Sequence, residues 1–221
     1  MTRKQTIKQT PVQKEQEPII YLLAGTKKYV QDHKKRVITG AVILVLCGVF
    51  GYAYSAHVKK VQENSWAAYY NAQLAVMSDP AAITQLDGVA LQYPGTQAAQ
   101  YAQLLKGDIL YAGENYAQAA DAYEPLITAH NETLRTVAIL SLAAARQATG
   151  DYDGSIKLLT KFIQDNPKSF ALPQAYFTLA LSQELVGQKA QAVETYQQLL
   201  ANYTKTYFGS VAKDKLAVLN K

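Results

Sequence analysis

The stretch from Val37 to Tyr54 (VITGAVILVLCGVFGYAY) constrains this chain more than any other, because its 18 residues carry no charge and must be kept from water. At about 1.5 Å per residue, a helix of this length reaches roughly 27 Å, enough to cross the hydrocarbon core of a bilayer. The run predicts one transmembrane helix. Its flanks set the direction: nine of the 22 Lys and Arg residues precede it, ending in Lys34-Lys35-Arg36, whereas the nearest basic residues after it are Lys59 and Lys60. Basic residues stay on the cytoplasmic side, so the N-terminus is expected in the cytoplasm and everything after Tyr54 across the membrane. Two other readings compete. A buried core helix would not need a basic cluster at its entrance. A cleaved signal peptide would use the small residues around Ala53-Tyr54-Ser55, with cleavage after Ser55, but the 36 residues before the run and its length exceed what such peptides carry. Cys47, Gly51 and Ser55 recur every fourth residue, a spacing of small side chains that lets a second membrane helix approach.

Charge is distributed unevenly. Residues 1–36 hold nine basic and three acidic groups, which leaves thirteen basic against fourteen acidic for the rest. The folded part is therefore close to neutral, and nucleic-acid binding is disfavoured. The single cysteine excludes an intramolecular disulfide. Residues 1–18 are rich in Gln, Thr and Lys and poor in apolar groups, so disorder is expected there; Ile19 to Arg36 mixes apolar and basic residues, which suits either a helix lying on anionic lipid or a simple topology signal.

Beyond the membrane run, residues 55–79 contain helix formers and no Gly, and predict a connecting helix on which Trp66, Tyr69, Tyr70, Leu74 and Met77 share one stripe. From residue 80 to 221 a period governs the chain. Pro94, Asn131, Pro167 and Thr204 are 37, 36 and 37 residues apart, and two places after each stands a hydroxyl, Thr96, Thr133, Ser169 and Thr206, suited to cap a helix. Gly113, Gly150 and Gly187 mark a second breakpoint in each unit. After each comes a ladder at 3, 4, 3 spacing, Tyr116-Ala119-Tyr123-Leu126, Tyr152-Ser155-Leu159-Phe162 and Lys189-Ala192-Tyr196-Leu199, one face of a helix. Two helices per unit stacking on their neighbours make an all-α solenoid.

These units resemble tetratricopeptide repeats. The unit from Ile139 to Pro167 carries Ile139, Leu142, Ala143, Gly150, Tyr152, Ser155, Leu159, Phe162 and Pro167 at the family's offsets, and Tyr176 to Thr204 follows with Tyr176, Leu179, Ala180, Gly187, Ala192, Tyr196 and Leu199. The departures are one extra residue between Gly113 and Tyr116, Lys189 where an aromatic is usual, and Thr204 for the closing proline. About three repeats are expected, with a half repeat before them (Pro80 to Tyr93) and a capping helix after them (Tyr207 to Leu219).

No catalytic, cofactor or metal site is expected. His33, His57 and His130 are scattered, no phosphate loop or nucleophile elbow occurs, and Asp151 and Asp153 beside Gly150 are a turn signature. The tetratricopeptide resemblance implies instead a concave groove lined by the first helix of each unit. Its offsets fall on Tyr101, Leu104, Asp108 and Tyr111, then Leu140, Ala144 and Gln147, then Phe177, Leu181 and Glu184. Such an apolar groove suits an extended or helical peptide. The same side chains would equally serve to pack on the long N-terminal helix or to drive self-association.

The order of parts, a basic tail, one membrane helix, a helical continuation containing AAYYNAQLAV and a repeat domain, is similar to the bacterial YfgM family of ancillary Sec translocon subunits. That resemblance implies a non-catalytic periplasmic domain, held at the inner membrane by a single span. It would sit beside SecYEG and a PpiD-like chaperone and receive unfolded envelope proteins. A structural scaffold for outer-membrane assembly or cell division is the alternative expectation.

Overall fold

The computed structural model describes residues 29–219, so the expectations for the N-terminal tail up to residue 28 lie outside the described residues. The apolar run lies inside one helix, α1 (Lys34–Ser78), 45 residues long. Its most apolar window has a mean hydropathy of 2.1 and none of it is buried against other parts of the protein. Among the described residues it is the one helix long and apolar enough to cross a membrane. A first compact unit ends at Lys59 and a second begins at Lys60.

Among its described residues the second unit is built of helices joined by short turns, with no strand. After Ser78, a 3-10 turn at Pro80–Ile83 leads into α2 (Thr84–Gln92), then α3 (Gln97–Ala112) and α4 (Tyr116–Tyr123), which ends in a 3-10 turn at Glu124–Thr128. Three further helices complete two more hairpins: α5 (Glu132–Ala148) with α6 (Tyr152–Asp165), and α7 (Leu172–Leu185) with α8 (Lys189–Tyr203); α9 (Tyr207–Leu219) closes the stack. From α2 onward each helix packs chiefly on its neighbours in sequence, and the first helices α3, α5 and α7 also touch one another in sequence order.

Why the period is so strict follows from which side chains sit at helix crossings. Ser65, Ala102, Ala138, Ala175 and Ala212 recur 37, 36, 37 and 37 residues apart, and all five are fully buried. Only a small side chain lets two backbones come that close. On the second helices the ladder positions Ala119, Ser155 and Ala192 are likewise fully buried, while Leu86, Tyr123, Leu159 and Tyr196 fill the space between layers at 2% exposure or less. Each such large side chain contributes roughly 1.5–3 kcal/mol by leaving water. Ser65 belongs to α1 and Leu86 to α2, so the end of α1 is the first helix of a unit whose second helix is α2. The half repeat at Pro80 to Tyr93 is thereby completed by the helix that precedes it, and Ala212 places α9 in the register of a further first helix.

Two local expectations are corrected, and the three glycine breakpoints hold with one difference in backbone geometry. The stripe on the end of α1 divides: the buried face is Ser65, Tyr69, Ala72 and Val76, with Trp66 partly covered, while Tyr70, Leu74 and Met77 are 55%, 63% and 76% exposed. Apolar residues encircle this part of the helix, and periodicity alone could not choose between the faces. Thr133 does not cap α5; Asn131 does, its side chain accepting from the Leu134 N–H at 3.0 Å, whereas Thr96 and Thr206 cap α3 and α9 as expected. Ser169 accepts from the Ala171 N–H in the turn before α7. Finally, Gly150 and Gly187 take the left-handed conformation at φ 84° and 85°, but in the first unit it is Glu114, at φ 60°, and Gly113 keeps an ordinary φ. The extra residue of that unit shifts the turn by one. The backbone closes identically each time: the next residue, Asn115, Asp151 or Gln188, donates to the carbonyl five residues back, Leu110, Arg146 or Gln183, the Schellman arrangement that ends a helix.

Candidate functional site

The face built by the first helices carries a pocket of about 260 Å³ where α3, α4, α5 and α7 meet. Asp108 and Tyr111 come from α3, Tyr123 from the end of α4, Leu140, Ser141 and Ala144 from α5, and Gln174 from the start of α7. Asp108 and Tyr111 are exposed, Ala144 partly so, and Leu140 forms the buried apolar wall. Tyr123 is only 2% exposed, and a buried phenol needs a partner for its hydroxyl. It donates to Asp108 Oδ1 at 2.7 Å. Gly107 makes this possible, since the ring lies where a Cβ at that position would project.

The electrostatics follow from that bond. Burial pushes the Tyr123 phenol far above its usual range, and the Asp108 carboxylate beside it reinforces the rise. Partial removal from water on the Tyr123 side also raises the Asp108 carboxyl above the ordinary aspartate value, against the opposing hydrogen bond from Tyr123. Solvent on the open side of the pocket tempers both effects.

The ten expected groove positions separate into distinct roles. Asp108, Tyr111, Leu140 and Ala144 line the pocket. Tyr101 packs instead against the end of α1, its ring 5.6 Å from that of Trp66, and Leu104 packs beside Tyr123 and Leu142 in the layer below. Gln147 ties α5 to α7, donating from Nε2 to Ser182 Oγ at 3.0 Å. Phe177 makes tilted ring contacts with Tyr196 of α8 and Phe208 of α9, at 6.2 Å and 5.6 Å between centroids. Leu181 is partly exposed on α7. Glu184 accepts from Tyr196 Oη at 3.1 Å and pairs with Lys215 Nζ of α9 at 3.1 Å. Among the described residues no group of three or more His, Cys, Asp or Glu is placed to hold a metal ion.

The family model of the tetratricopeptide repeat-like domain matches residues 27–175. The chain belongs to that family. A second tetratricopeptide repeat match covers residues 174–206, so the tetratricopeptide fold accounts for α7 and α8 as well. Two crystal structures of a Podosopora anserina putative kinesin light chain with nearly identical TPR-like repeats are similar in fold. One gives a TM-score of 0.53 at 20% identity over 74% of this chain and 84% of the other. The second gives 0.52 at 20% identity over 74% and 85%. No curated protein matches. Tetratricopeptide repeats make extended surfaces for protein partners, and this chain is a protein–protein interaction adaptor in that sense.

Sequence reasoning missed Tyr123, Ser141 and Gln174 as pocket residues. Tyr123 was visible only as a tetratricopeptide ladder position, where a side chain of any size is read as core. Its signal was the hydroxyl: Tyr123 and Tyr196 occupy equivalent positions, and each demands an acceptor that Leu159 between them does not.

Proposed function

We propose that this chain is a membrane-anchored adaptor whose repeat domain holds polypeptide segments on the face formed by α3, α5 and α7. Helix α1 crosses the bacterial inner membrane through Val37–Tyr54, the basic residues before it remain in the cytoplasm, and the repeat domain works in the periplasm. The carrying observation is the pairing of two features: an 18-residue window with no burial at all on the helix that leads into a tetratricopeptide domain bearing a polar-bottomed, apolar-walled pocket. A wholly soluble protein would have no use for so large an uncovered apolar surface.

The resemblance to ancillary translocon subunits gives this adaptor its most specific setting, beside SecYEG and a PpiD-like chaperone, receiving unfolded envelope proteins without catalysing a reaction. Photocrosslinkers placed at Tyr111 and Phe177 of the membrane-embedded chain test it. Capture of nascent secreted chains or translocon subunits is the expected result, and capture confined to outer-membrane assembly or division proteins would replace it with a scaffold. The exposed apolar face Tyr70, Leu74 and Met77 favours that second reading, because a permanent partner would cover it.

A further inference from the structure

The pocket on the first-helix face contains a carboxylate with a hydrogen bond but no counter-charge. Asp108 accepts from Tyr123 Oη, and among the described residues no Lys, Arg or His lies within ion-pair distance of it. The same device recurs farther along the stack in completed form. Tyr196, at the position equivalent to Tyr123, donates to Glu184, and there Lys215 of α9 brings an ammonium to 3.1 Å from the same carboxylate. Two tyrosine–carboxylate pairs thus share one face, one with its cation supplied by the capping helix and one open to solvent.

We infer that the Asp108 pocket receives a cationic side chain of a bound polypeptide, an arginine or a lysine, whose charged head takes the place beside Asp108 that Lys215 takes beside Glu184. The inference rests on the reading of this face as a polypeptide-binding surface. Size supports a side chain rather than a free metabolite: about 260 Å³ falls below the roughly 300–1,000 Å³ of small-molecule sites. Leu140 and Ala144 offer an apolar wall for a methylene stem, and Tyr111, 36% exposed, also lines the pocket with an aromatic ring whose face attracts a cation. Gln174 also lines the pocket, and its side-chain amide contains a second acceptor oxygen. Anionic ligands are repelled by Asp108, and a divalent ion would need several more oxygens than one carboxylate supplies. Tyr123 holds Asp108 in place before the ligand arrives, so little ordering remains to be done on binding.

The test uses the full chain in lipid nanodiscs and two alanine- and leucine-rich nonapeptides that differ only at a central arginine or citrulline, the latter a neutral analogue of the same shape. Binding is measured by calorimetry at low salt for the wild-type protein and for Asp108→Asn, which retains the acceptor for Tyr123. The arginine peptide is expected to bind at least tenfold more tightly than the citrulline peptide to the wild type, and the preference to vanish in Asp108→Asn. Equal binding of both peptides to the wild type would overturn the inference while leaving the polypeptide-binding face intact. Failure of both peptides to bind a folded wild-type chain would overturn the two together.

Discussion

The ring of Tyr123 lies against Gly107 so closely that a Cβ added there would come within 2.8 Å of the Tyr123 Cδ1. Equivalent positions in the next two units are Ala143 and Ala180, both fully buried. The difference lies in where the tyrosine must reach. Tyr123 folds over Gly107 to meet Asp108, the next residue, whereas Tyr196 meets Glu184, four residues past Ala180, and leaves room for a methyl group. Gly107→Ala gains up to about 1 kcal/mol of helix propensity but overpacks a site that cannot yield, which costs roughly 1–3 kcal/mol. The net expectation is a loss of about 1–2 kcal/mol in thermal unfolding followed by circular dichroism; a stabilised Gly107→Ala would show that the ring is free to move.

Glu114 occupies the left-handed conformation that Gly150 and Gly187 take in the following turns. A residue with a Cβ pays roughly 1–2 kcal/mol there, and glycine gives back part of that through the greater freedom of the unfolded chain. Glu114→Gly is therefore expected to stabilise the domain by about 0.5–1 kcal/mol, while Gly150→Ala and Gly187→Ala should each destabilise it by about 1 kcal/mol. Chemical denaturation of the three variants checks the sign.

The period of 36 to 37 residues was legible because it is enforced by contacts between neighbouring units: a small residue at each crossing and a large one between layers must recur wherever the same two helices meet. That logic identified Ala119, Ser155 and Ala192 without a structure. It did not reveal that α1 supplies the first helix of another unit, because Ser65 is the lone hydroxyl in a series of alanines and the surrounding aromatics suggest a different face. The pocket was half legible. Asp108, Tyr111, Leu140 and Ala144 sit at family offsets, but Tyr123 reaches Asp108 across fifteen residues and Gln174 arrives from another unit, relations that no local pattern encodes.

Asp108 links the pocket to pH. Its carboxyl is raised above the ordinary value of 3.8, so the folded chain holds that proton more tightly than the unfolded chain does. Ionised Asp108 therefore weakens the fold at neutral pH, and this penalty fades as pH falls through the raised value and is gone below the unfolded one. Asp108→Asn is expected to raise the melting temperature at pH 7 and to lose that advantage under acid conditions. An advantage that is constant with pH would separate the effect from ionisation.

Ser182 is fully buried between repeats, where its hydroxyl lies 3.0 Å from Ser155 Oγ and accepts from Gln147 Nε2 at 3.0 Å. Ser182→Ala removes the shared partner and leaves the fully buried Ser155 hydroxyl without it, while Gln147 Nε2 keeps the Thr178 carbonyl at 3.4 Å, at a cost of about 1–3 kcal/mol. Denaturant unfolding should show it, with Ser182→Ala in a Gln147→Leu, Ser155→Ala background costing much less. Equal losses in the two backgrounds would mean that the three side chains do not act together.

Hydroxyl-radical footprinting of the full chain in nanodiscs, with and without an unfolded polypeptide such as a reduced, alkylated model protein, tests the adaptor account most directly. Tyr111 at 36% exposure and Tyr70 and Met77 at 55% and 76% all stand open to the reagent. Protection of Tyr111, with Tyr70 and Met77 unchanged, is the expected result. Protection of Tyr70 and Met77 with Tyr111 still fully reactive would contradict the account and move the binding surface to α1.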